Sequence, residues 1–262
     1  MSIYIIDFIT MALMFHLFYA VAVFKKDFGV IDIAWGIGHL VPLCVGLVFN
    51  PVLSLRQVFV SLVLLLWAFR LSGYIFLRSQ KKPEDFRYNE MRKSYGDRAN
   101  FLAYIRIFWF QTIILYVLSL PVLWIVSTEQ SELVLSDYFA LGVCFIGLLI
   151  ETIADSQKNQ FKKNKNNNGK FIQSGLWKYS RHPNYFGESL YWWGFFFFSF
   201  NLSLGALPLW SIAWFAPLVL TLFLLFFSGI PMLEKKREND ETFIEYKKKT
   251  SAFIPLPPRE NI

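Results

Sequence analysis

Apolar runs long enough to cross a bilayer recur along this 262-residue chain, and charged or polar segments separate them. A hydrocarbon core about 30 Å thick needs about 20 such residues in a helix. The runs fall at 3–24, 31–49, 55–77, 101–126, 137–154, 185–200 and 209–230. Hydrophobic content of 55%, aromatic content of 19% and a mean hydropathy of +0.40 agree that lipid is the main solvent. A lone spanning segment satisfies its backbone polar groups only internally, so each run is expected to be helical. The expected fold is therefore all-α, one integral membrane domain of seven transmembrane helices over residues 1–262. The sixth run is the shortest and opens at Pro183, a residue suited to a first helical turn.

The connecting segments carry the orientation. Lys25–Lys26, the segment 78–98, the segment 158–170 and the tail from Glu234 are rich in Lys and Arg. The alternate loops after the second and fourth runs carry no positive charge. The positive-inside rule then places the N-terminus outside and the C-terminus in the cytoplasm. The net charge of +7 sits between hydrophobic runs, which makes it a topology signal and excludes nucleic acid as the expected partner. Ala20-Val21-Ala22 is weakly similar to a cleavage site. With Asp7 as the only early charge and no basic flank, an uncleaved first span is expected. Asn201-Leu202-Ser203 would accept a glycan only in a eukaryotic secretory membrane. Residues 169–177, a segment started by Gly169, are expected to lie along the cytoplasmic surface.

Ionisable side chains inside a bilayer are costly, which makes each a functional candidate. Asp32 opens the second run, Arg70 lies in the third, Glu151 and Asp155 end the fifth, and Glu188 begins the sixth. At 1.5 Å per residue, none is more than about 12 Å from its cytoplasmic end. The outer halves are expected to be free of charge. Snorkelling explains any one of these residues; their clustering points to a polar cavity under an apolar chamber. Spacing adds faces: Arg70, Tyr74 and Arg78 are four apart, as are Glu151 and Asp155, and Asn184 and Glu188. Asp32 and Trp35 are three apart. His16 and His39 stand alone on apolar runs and are expected to pack or sit at an interface. Cys44 and Cys144 have no metal-ligand spacing, and no HExxH, P-loop or GxGxxG occurs, so no metal site is expected and a dinucleotide would not use a Rossmann fold.

"LWKYSRHPNYFGE" (176–188), "DIAWG" (32–36), "DFRY" (85–88) and "TSAFIP" (250–255) together resemble bacterial members of the steroid 5-alpha-reductase family, the DUF1295 group. A shorter Arg-His-Pro-x-Tyr element is similar to one in isoprenylcysteine carboxyl methyltransferases. The resemblance implies a bacterial inner-membrane oxidoreductase of the 3-oxo-5-alpha-steroid 4-dehydrogenase type. Such an enzyme uses NADPH to reduce the C=C bond of an enone in a lipophilic, steroid- or isoprenoid-like substrate. Carried onto this chain, it makes Asn184, Glu188, Asp155 and Tyr74 cofactor contacts, with Lys162, Lys170 and Arg181 toward phosphates. Arg70, Arg78, Glu151, His182 and Tyr185 complete the expected cofactor set. Asp32, Trp35 and Trp67 form the expected catalytic set, with Asp32 as proton donor. The Gln-Glu pair of the animal enzymes is absent from the second run, Trp67 stands where they carry a tyrosine, and "LEKKR" replaces a cofactor-binding histidine, leaving Glu234 or Lys235 to substitute. Two other readings stay open: an S-adenosylmethionine-dependent methyltransferase of a lipid or prenyl-cysteine, and a non-catalytic lipid-binding scaffold.

Overall fold

The computed structural model describes residues 2–50, 52–80, 82–127, 132–200 and 207–259, with the backbone alone at 200 and 207–214. Among the described residues the regular structure is helical, with a single isolated bridge between Ser180 and Ser251. Among the described residues six helical stretches are long and apolar enough to cross a membrane. The expected sixth span is a helix, but it is not one of these six. Its tyrosines and tryptophans and a polar first turn lower its hydropathy. Asn201–Ser203 and most of the loop after the fourth run lie outside the described residues. The chain divides into two compact units, Met1–Val134 with Ser199–Ala216, and Leu135–Phe198 with Pro217–Ile262.

The first unit opens with α1 (Ile3–Lys25), which agrees with the first apolar run. The second run is not one helix. It breaks at His39–Leu40 into α2 (Val30–Gly38) and α3 (Val41–Phe49), with Pro42 in the first turn of α3. Proline lacks an N–H and clashes with the preceding turn, so it restarts a helix more easily than it continues one. A capping box between Ser54 and Gln57 begins α4 (Leu55–Ser79). Next come α5 (Phe86–Tyr95), α6 (Ala99–Ala103), a π-helical turn (Tyr104–Trp109) and α7 (Phe110–Ser127). α2 lies close on α4 because Gly36 faces Ser72, whose hydroxyl donates to Ile33 O at 2.9 Å. A small residue at such a contact lets helix backbones approach without a hydrophobic driving force.

In the second unit, α8 (Leu135–Lys163) runs well past the expected end at 154, so Lys162 and Lys163 extend from its polar last turns. After it come a short 3-10 turn (Gly175–Lys178), α9 (Pro183–Phe200, up to Phe198 in this unit), α10 (Leu207–Phe226, from Pro217 in this unit), α11 (Ile230–Lys235) and α12 (Glu241–Lys249). The helix of the expected seventh span thus pauses after Phe226 and restarts at α11 within one apolar stretch. The segment 169–177 is irregular up to its short 3-10 turn, and Gly175 turns it with a left-handed φ of 62°. α8 and α9 touch through glycines. A Cβ on Gly187 would lie 2.5 Å from Glu151 N, and one on Gly147 would lie 2.5 Å from Tyr191 N.

The expectation that charge avoids the outer end of every span fails. Asp7 near the start of α1, Arg56 near the start of α4 and Asp137 near the start of α8 are all buried. A search confined to the cytoplasmic ends passes over them.

Candidate functional site

In the first unit the polar centre forms around Asp32. Its Oδ2 accepts from Arg87 Nη2 at 2.6 Å and its Oδ1 from the Tyr88 hydroxyl at 2.5 Å. Arg87 also donates to Asp85, which caps α5. Just before α5, Glu84 accepts from both Nε and Nη2 of Arg92 and from the backbone N–H of Phe28, so the "EDFRY" segment is tied to the turn between α1 and α2. A carboxylate engaged at both oxygens by a guanidinium and a phenol is held as an anchor. That geometry does not favour the proton-donor role expected for Asp32. The two partners that make it an anchor, Arg87 and Tyr88, lie within "DFRY", yet sequence reasoning assigned them no role.

The expected tryptophans come together around a third residue. Trp35 and Trp67 both present ring edges to His39, at centroid distances of 5.9 and 5.1 Å, and His39 Nδ1 bonds to Trp35 O. His39 and Trp67 are fully buried. His39, expected merely to pack, is the joint of this nest. His16 bonds to Ala12 O and, through Nε2, to the Tyr104 hydroxyl in the π-turn at 2.5 Å. The Arg70–Tyr74–Arg78 ridge is present as expected: the guanidinium carbons lie 5.8 and 5.4 Å from the Tyr74 ring centre, one from each side in sequence.

In the second unit the residues leading into α9 form the denser cluster. Arg181 donates through Nε and Nη2 to Glu234, and through Nη1 to the carbonyls of Lys247 and Thr250. Lys247 adds an ion pair to the same carboxylate at 3.0 Å. These bonds take up most of the donors of Arg181, an arrangement that suits a structural clamp better than an open phosphate contact. His182 Nε2 meets Glu234 Oε1 at 3.1 Å, and Tyr185 stacks on the imidazole with an interplanar angle of 5°. Burial pushes the His182 imidazole below its ordinary pKa, opposed by its hydrogen bond to Glu234 and helped by Lys158 and Arg181. Because Nε2 faces a carboxylate, it carries the proton, and Nδ1 is left as an acceptor.

Two buried acceptors in this cluster have no protein partner: His182 Nδ1 and the side-chain oxygen of Asn184. Buried polar atoms are nearly always paired, so two orphans two residues apart point to a ligand bearing donors. Glu188, one turn into α9, is buried, as are Glu151 and Asp155 on α8. Lys162 and Lys170 are exposed at the polar end of α8 and beyond it. No group of residues suited to a metal ion occurs among the described residues.

Comparison with known proteins agrees on the family and on nothing finer. The family model described as "Protein of unknown function (DUF1295)" matches residues 18–250. An uncharacterized protein of the fission yeast Schizosaccharomyces pombe is 25% identical over 226 residues. That match covers 76% of this chain and 65% of the yeast protein, so the chain spans just under two thirds of its relative's length. No solved structure matches.

Proposed function

The chain belongs to the DUF1295 family, and from that premise we propose that it is a membrane oxidoreductase that binds NADPH and reduces the C=C bond of an enone in a lipophilic substrate. The observation that carries the reading is the pair of unpartnered acceptors at His182 Nδ1 and Asn184. A carboxamide or ribose edge supplies the N–H and O–H donors that such a pair lacks. Glu188 and Asp155 extend the acceptor set, and Tyr185 holds the His182 ring flat. Phosphates fall to Lys162 and Lys170, since Arg181 is engaged by Glu234. When bound, the reduced nicotinamide supplies hydride. In the first unit, Asp32 and Arg87 position the Tyr88 phenol, and the Trp35–His39–Trp67 nest gives an apolar, aromatic wall suited to a planar substrate. In this reading the protein lies in a bacterial inner membrane with seven spans, its N-terminus outside and its cofactor residues toward the cytoplasm.

Ligand-dependent stability in detergent tests it. A ligand that binds only the folded protein adds about 2.7 kcal/mol at 100 times its dissociation constant. NADPH is expected to raise the melting temperature, and S-adenosylmethionine is expected to leave it unchanged. The reverse result replaces the reductase with the methyltransferase. Asn184→Ala removes one hydrogen bond to the ligand and is expected to weaken NADPH binding about tenfold. Glu188→Gln is expected to weaken it as well. Normal binding by both variants makes this junction purely structural.

A further inference from the structure

The C-terminal segment 250–259 lies beside the residues that lead into α9 and bends at 252–254. Ser180 and Ser251 pair in parallel, Arg181 N donates to Ser251 O at 2.8 Å, and Leu256 N donates to Tyr179 O at 3.0 Å. The Ser180 hydroxyl closes the pairing on Phe253 O at 2.7 Å. Ile254 and Leu256 are 55% and 52% exposed, and Tyr179, whose carbonyl accepts from Leu256 N, is 42% exposed. A strap that presents two aliphatic side chains and a phenol outward has an apolar face that needs a cover.

Charge and position identify that cover. Residues 176–181 and 246–259 together contain six cations and no carboxylate, and three of the six, Arg181, Lys247 and Lys249, are ion-paired with Glu234 or Glu245. The Lys178 ammonium lies 5.9 Å from the Tyr179 ring centre. Phe253, next to Ile254, meets Phe186 in the first turn of α9 with ring centroids 5.6 Å apart. Arg181, next to the bridge, is bound to Glu234 at the end of the apolar stretch Phe215–Lys235. The patch thus sits where apolar helices of its own unit begin and end. Pro255, Pro257 and Pro258 remove three N–H donors from the strap, which disfavours the addition of a partner strand.

We propose that Tyr179, Ile254 and Leu256 insert into the headgroup layer of the surrounding bilayer, with Lys178 and Arg259 contacting anionic lipid headgroups. Aromatic and aliphatic side chains rimmed by Lys and Arg are the composition of an interfacial anchor.

The test uses the full chain with Cys44→Ala, leaving the buried Cys144 in place, and a nitroxide attached at Leu256→Cys. The protein is reconstituted in phosphatidylcholine vesicles, with or without an equal part of phosphatidylglycerol. Collisions of the label with oxygen, which partitions into lipid, are compared with collisions with a water-soluble nickel chelate. The expected oxygen-to-nickel ratio is several-fold above that of a label at the exposed Asn166→Cys, and rises further with phosphatidylglycerol. Ile254→Cys, at the other exposed aliphatic of the strap, is expected to give a similar depth if Leu256→Cys disturbs the strap. The double variant Lys178→Ala, Arg259→Ala should abolish the phosphatidylglycerol effect without changing the melting temperature in detergent. A label as open to nickel as at position 166 overturns the proposal. So does a label shielded from both reagents, which would mean that protein covers the patch, or a ratio indifferent to phosphatidylglycerol.

Discussion

His182 carries two roles at once, since one ring nitrogen is held by Glu234 and the other is an orphan acceptor. The acceptor role at Nδ1 needs the neutral ring. Its folded-state pKa lies below the ordinary value near 6.5, first because burial penalises the charged form. The contribution to stability is therefore complete above pH 6.5, where folded and unfolded chains both hold the ring neutral. It is lost as pH falls below 6.5 through the folded-state value, because the unfolded chain takes up a proton that the folded one resists. Melting curves in detergent should show this acid-side loss, and His182→Asn, which cannot titrate, should flatten the slope in that window. An unchanged slope would mean that another group governs it. Legibility at this scale depends on sequence distance. Asn184 and Glu188 stand out because four-residue spacing is visible in any helix. Glu234 and Arg181 are 53 positions apart, so only the folded chain brings them together. The same applies to Asp32 and Tyr88, 56 apart, and it explains why Asp32 reads as a free carboxylate until its partners are seen.

At the scale of elements, the α8–α9 contact controls the geometry of the acceptor cluster. Gly147 and Gly187 let the two backbones approach so closely that a Cβ on Gly187 would meet Glu151 N at 2.5 Å and Gly147 O at 2.7 Å. Backbone atoms cannot move aside as a flexible side chain can. Gly187→Ala must therefore push the helices apart, at about 1–3 kcal/mol by analogy with overpacked cores. Because Gly187 lies between Asn184 and Glu188, the same substitution is expected to weaken NADPH binding. Gly142→Ala on α8 is the control: nothing lies within 4 Å of its Cβ, and alanine favours a helix over glycine by about 1 kcal/mol. Melting temperatures should fall for the first variant and hold or rise for the second. Apolar length predicts α1 and α4 well, because their sequences are uniform. It finds the bounds of 31–49 but not the break at Pro42, and at 209–230 it misses that the helix pauses after Phe226 and restarts at α11 within one apolar stretch. In both places a local break outweighs continuous hydrophobicity.

The number of spans is a property of the whole molecule, and it turns on α9. Its 18 residues give a length of about 27 Å, near the thickness of a hydrocarbon core. Contacts along it run antiparallel to α10 and the turn into α11. Tyr185 lies beside Gly229, and four residues further along α9 the Ser189 hydroxyl meets that of Thr221 at 2.6 Å. The partner number falls as the α9 number rises, so α9 and α10 form a hairpin. Beyond it, Arg181 meets Glu234, and Ser180 meets Ser251. The chain before α9 and the chain after α10 therefore end at the same level within this unit. If α10 crosses the membrane, α9 must cross it too, because a lone crossing by α10 would put those two segments on opposite faces. This supports seven spans although α9 falls short in hydropathy. Topology reporters can decide it. One inserted at Asn168 and one after Arg259 should report the same face of the membrane, and a tag ahead of Ser2 should report the other. Opposite faces for Asn168 and Arg259 would leave six spans, and would also separate the strap from the segment it is bonded to.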